Sequence, residues 1–115
     1  MKRLNGAIAL AVVLCLSGGS SSAAEIILTA NVLRVHPLAD GSIVLMMTAD
    51  SSSCTNTSTP YKHYHVKVGQ NNVTTDGLRA IQATAMTAFS TGYRLAVYFD
   101  DGTTFCYVNR VLLKE

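Results

Sequence analysis

One helical stretch stands among five strand-like runs, three before it and two after, and no other feature of this chain limits its fold so much. Leu78, Ile81, Ala85 and Phe89 recur at helical spacing, with Gln82, Met86 and Ala88 beside them. Thr75 or Asp76 can cap the start by accepting a hydrogen bond from a free backbone amide. Gly92 sits where a helix end favours a left-handed residue, so the helix is predicted to run to about Thr91.

The strands follow from β-branched content and alternation. Ile26 to His36 carries Leu28, Val32, Leu33 and Val35 and reads as a long first strand. Asp40-Gly41 marks a turn, and Ser42 to Thr48 follows as a nearly continuous apolar strand, so the pair is expected to form a hairpin. Ala49 to Pro60 has no periodicity and reads as a polar loop. Tyr61 to Val68 alternates, placing Tyr61, His63, His65 and Lys67 on one face and Tyr64, Val66 and Val68 on the other. After the helix come Tyr93 to Phe99, the turn Asp100-Asp101-Gly102, and a last strand from Thr104 to Leu113. That strand sets Phe105, Tyr107, Val111 and Leu113 against Thr104, Cys106, Val108 and Leu112.

Five strands with a helix between the third and fourth is the order of the OB-fold, a small Greek-key barrel. The expectation is a mainly β, five-stranded OB-fold-like barrel with one helix, as one domain over residues 25–115. A two-layer sheet crossed by a helix has the same element order and stays open as the alternative.

Residues 1–24 read as a removable leader: Lys2 and Arg3 open it, Ala7 to Leu16 is apolar, and Ser22-Ala23-Ala24 offers a cleavage site. The apolar run falls short of the roughly 20 residues that span a bilayer. Leu14 before Cys15 does not suit a lipoprotein signal, which wants a small residue there. Secreted or periplasmic localisation in a bacterium follows, and the Asn56-Thr57-Ser58 and Asn72-Val73-Thr74 sequons are expected to be unmodified. Losing Lys2 and Arg3 leaves seven basic residues against seven acidic ones, which argues against nucleic acid as a partner.

Cys54 and Cys106 remain, and in an oxidising compartment they are expected to pair. In an OB barrel the third and fifth strands meet, which brings these two cysteines toward bonding range. Closing about 50 residues would destabilise the unfolded chain by roughly 4 kcal/mol.

Chemistry-bearing residues are few. His63 and His65 lie about 6.5 to 7 Å apart along a strand, a spacing that suits zinc when a third ligand converges. His36 is the other histidine, and no third ligand is evident, so neither metal nor cofactor is expected. The serines form no nucleophile elbow or triad pattern, and the chain is read as non-catalytic. Tyr61, His63, His65 and Lys67 form the candidate ligand-binding face, since aromatic and imidazole groups stack on and hydrogen-bond to sugars. Met46 and Met47 read as adaptable core packing.

The loop cysteine, the segment Ala88-Phe89-Ser90-Thr91-Gly92-Tyr93-Arg94-Leu95-Ala96-Val97 and the late cysteine resemble the B subunit of subtilase cytotoxin and its relatives, which are exported bacterial OB-barrels. The resemblance covers roughly Ser53 to Leu113. It implies a carbohydrate-binding subunit, assembled in toxins as a ring of five around one A chain. The serine-rich segment near Cys54 departs from the toxin sugar site, so no contact residue is carried over.

Three function classes follow. One is an exported binding protein for a glycan or cell-surface ligand, toxin B-subunit-like, with homo-oligomerisation left open. The second is a small exported structural or interaction protein without glycan binding, and the third and weakest is a zinc-dependent enzyme.

Overall fold

The computed structural model describes residues 24–115, so the expected leader, apart from Ala24, lies outside the described residues. The elements run β1 (Glu25–Pro37), β2 (Ile43–Met47), β3 (Tyr64–Val66), α1 (Thr75–Thr91), β4 (Arg94–Asp100) and β5 (Val108–Lys114). They form a five-stranded antiparallel sheet in the order β3-β2-β1-β4-β5.

β1 is long enough to serve two neighbours. Glu25 to Asn31 pair with Asp100 to Arg94 of β4, and Val32 to Pro37 pair with Met47 to Ile43 of β2. The register shifts between Val32 and Arg34, which marks a bulge at Leu33 and a bend toward the second partner. The turn into β2 is held by Asp40, whose carboxylate accepts from both the amide and the hydroxyl of Ser42. Those two bonds, ahead of the nearby Lys67 charge, hold the Asp40 carboxyl below the usual range.

The inner face of the sheet carries Leu28, Ala30 and Val32 of β1, Ile43, Leu45 and Met47 of β2, and Leu95, Val97 and Phe99 of β4. Tyr64 and Val66 complete it, with the Tyr64 ring meeting Phe99 edge-on at 5.2 Å between centroids. Each fully buried leucine contributes about 1.5–3 kcal/mol relative to exposure. α1 covers this core with Leu78, Ile81, Ala85 and Ala88. Its N-cap is Thr74 rather than the expected Thr75 or Asp76, because the Thr74 side chain accepts from the Gly77 amide, and Gly92 ends it at φ 80° with its amide donating to the Ala88 carbonyl.

Four further expectations need correction. Phe89 lies off the buried helix face and is 53% exposed, because Ala88 takes the inward position. The third strand is three residues long: Tyr61 to His63 precede its ladder, and Val68, after its end, is exposed. The fifth strand begins at Val108, because Asp101 to Tyr107 form a turn-rich loop in which Cys106 takes φ 49°. Within that strand, Tyr98 pairs with Arg110 but Phe99 with Val108, so the extra residue Asn109 flips the alternation. Val108 therefore points inward together with Val111 and Leu113, while Leu112 points out.

The Cys54–Cys106 disulfide is formed, with 5.7 Å between the Cα atoms. The hydrogen-bonded ladder is open, with β3 and β5 as its edges. A backbone bond from the His65 amide to the Phe105 carbonyl, 3.3 Å, ties β3 to the loop ahead of β5, and the disulfide ties that loop to the one ahead of β3.

Candidate functional site

The site is built on the outer face of the β1–β2–β3 half. Residues opposite one another in an antiparallel pair project to the same side. His36 faces Val44 across β1 and β2, and Val44 faces His65 across β2 and β3, so one row places His36 and His65 on the same face. Arg34, opposite Met46, joins them two residues along β1. His63, two residues before His65, brings its ring to 6.1 Å from that of His65. All three histidines of the chain therefore share one face.

The loop before β5 extends this face. The Phe105 ring packs edge-on against His65 at 5.4 Å and stacks on Tyr107 at 5.2 Å, with 20° between the two ring planes. His65 is fixed in turn, its Nδ1 lying 2.9 Å from the Phe105 carbonyl oxygen. Phe105 is 48% exposed, which leaves an aromatic shelf open to solvent beside the imidazoles.

The four residues singled out from the sequence do not all come together. His63 and His65 meet in the cluster. Tyr61 stands before the strand with the Arg34 guanidinium 6.0 Å from its ring centre, and Lys67, past the strand end, pairs with Asp40 at 3.7 Å. The sequence pattern missed Phe105 and Tyr107 because it grouped them with Val111 and Leu113 along one side of a continuous strand. The cysteine two residues past Thr104 was the available signal, since a bridge to Cys54 must carry Phe105 and Tyr107 beside β3.

Loop 49–63, ahead of the site, is held by side chains. The Tyr64 hydroxyl accepts from the Ser51 amide, and burial pushes its phenol up from the ordinary value of 10.0. Lys62 Nζ donates to the carbonyls of Ser51 and Cys54, 3.0 and 2.6 Å away, which commits that cation to the loop. Asn56 donates to the His63 carbonyl at 2.7 Å and accepts from the His63 amide at 3.3 Å. Both ends of the Asn56 side-chain amide are thus engaged. Among the described residues, no group of three or more His, Cys, Asp or Glu is placed to hold a metal ion.

His63 is a perturbed imidazole. Partial burial first, and then the like charge of His65 and His36, holds it below its ordinary value of 6.5. A second feature adjoins the face. Leu33, Val35, Met46, Met86 and Phe89 line an apolar groove of about 350 Å³, edged by Arg34 and His36. Met46 thus turns to the outer side while Met47 packs in the core.

Comparison with protein-family models, curated proteins and solved structures finds no match for this chain. Among the described residues, no helix is long and apolar enough to cross a membrane.

Proposed function

We propose that this chain is an exported, non-catalytic binding protein built as an OB-like barrel, with the outer face around β3 taking a glycan. The convergence of His63, His65, Phe105 and Tyr107 into a half-exposed shelf carries the reading, because flat rings stack on the apolar face of a sugar while imidazoles bond its hydroxyls. The barrel reading draws support from the strand order and from the disulfide and backbone bond that bring β5 against β3. Export fits a small disulfide-bonded domain.

Likeness to the subtilase cytotoxin B subunit extends the reading to a ring of five subunits. Light scattering on residues 25–115 tests that extension, and a monomer would remove it. Binding itself is tested on a glycan array with the native protein and Phe105→Ala. Glycan signals lost in the variant support the reading, and a folded native protein with no signal overturns it. A second reading, a protein-interaction module without glycan affinity, is favoured by the apolar groove with its exposed Met86 and Phe89.

A further inference from the structure

Residues 25–115 carry seven basic and seven acidic side chains, yet the face around β3 is unevenly charged. Arg34, His36, His63, His65 and Lys67 share it or border it. Of the carboxylates near it, Asp40 is paired with Lys67 and bonded to Ser42, and Asp50 accepts from the Lys62 amide at 3.4 Å. Lys62 is committed to loop carbonyls, and the remaining titratable neighbours, Tyr61 and Tyr107, are phenols. Among the described residues, none of the three histidines forms an ion pair with a carboxylate.

We propose that this face binds a sulfated saccharide, with Arg34 and the three histidines holding the sulfate groups and Phe105 and Tyr107 holding a sugar ring, more tightly in mildly acidic than in neutral solution. The proposal rests on the glycan-binding reading and narrows it to one ligand chemistry. Histidine is the side chain whose charge changes between about pH 5 and 8, whereas a sulfate ester stays ionised throughout. The ligand therefore meets one standing cation, Arg34, at neutral pH, since Lys67 is paired with Asp40, and up to three more in acid. Partial burial first, and then the charges of His65 and His36, lower the affinity of His63 for protons, and a bound anion would relieve the second of these causes. A polynucleotide fits less well, because it needs many standing cations and this face has few at neutral pH.

The test is calorimetric titration of residues 25–115 at about pH 7.5 and about pH 5.5, at constant ionic strength. The probes are a heparin-derived hexasaccharide, the same sugar desulfated, and oligothymidylate. The expected result is binding of the sulfated sugar that strengthens about tenfold in acid, as a few exposed ion pairs allow. The triple variant His36→Gln, His63→Gln, His65→Gln should lose the acid gain, binding the sulfated sugar equally at the two pH values. Arg34→Gln should weaken binding at both values, and in the native protein the histidine ring signals should titrate at higher pH when the sugar is bound. Equal binding of sulfated and desulfated sugar without pH dependence overturns this proposal but leaves glycan binding standing. Oligothymidylate binding as tightly as the sulfated sugar overturns it in favour of nucleic acid, and no sugar binding at either pH overturns both readings.

Discussion

The two halves of the sheet are held together by different means. In the half formed by β1, β4 and β5, ladders of seven and six paired positions run the length of the strands, and the outward Arg110 is occupied by Tyr98, 4.3 Å below its guanidinium, and by Glu25 at 3.5 Å. In the half formed by β1, β2 and β3, the outermost ladder is three positions long. Its order comes instead from the disulfide, from Asn56 and Lys62 bonding backbone groups, and from the Tyr64 hydroxyl. Where backbone pairing is extensive the outward Arg110 has an acidic and an aromatic partner. Where it is short, side chains perform the structural task and the outward imidazoles stay without acidic partners.

Breaking the covalent link should separate the halves most clearly. Replacing both cysteines (Cys54→Ser with Cys106→Ser) is expected to cost about 4 kcal/mol in denaturant unfolding. Amide exchange should quicken at Tyr64 and Val66 before Val97, and uniform loss across both halves would refute the division. A smaller break is Asn56→Ala, which strips the His63 carbonyl and amide of their partner. A loss of about 1–2 kcal/mol by thermal unfolding is expected, with a fall in affinity for any ligand that contacts His63.

The acid dependence of stability sharpens the contrast without a large energy. His63 holds its proton less readily when folded, so the unfolded chain binds more protons as pH falls through about 6.5 toward the lowered folded value. Stability should drop through that window and level off below it, and His63→Gln should flatten the drop in a melting series. Arg110→Gln, in the ladder-rich half, is expected to change stability by less than about 1 kcal/mol, because the Glu25 partner is exposed.

The sequence revealed the helix most clearly. Its left-handed Gly92 end and three of its four buried positions follow from spacing, whereas its cap lies at Thr74, ahead of both candidates. The error at Phe89 arose because an alanine packs closer to the sheet than a phenylalanine can. Strand order and the disulfide partners were legible for a similar reason, since both depend on local alternation and on compartment. The ends of β3 and β5 were not. Tyr61 to His63 keep a strand-like pattern but bond to Asn56 and Asp50 rather than to a ladder, and the bulge at Asn109 resets an alternation that looks continuous in one dimension. Half of the candidate site was hidden by the same cause. Phe105 reaches His65 only because the chain turns through Cys106 at positive φ, a conformation rare for a residue other than glycine.

β1 is the thirteen-residue centre of the sheet, and it is followed by an exposed turn at Leu38 to Gly41. A break in that turn would convert the strand into a separate peptide whose two edges match β4 and β2, leaving a remainder with a vacant slot between its two hairpins. Peptide 25–37 would then be a complementing fragment for 42–115, and its return could report on assembly of the fold in the way a split reporter does.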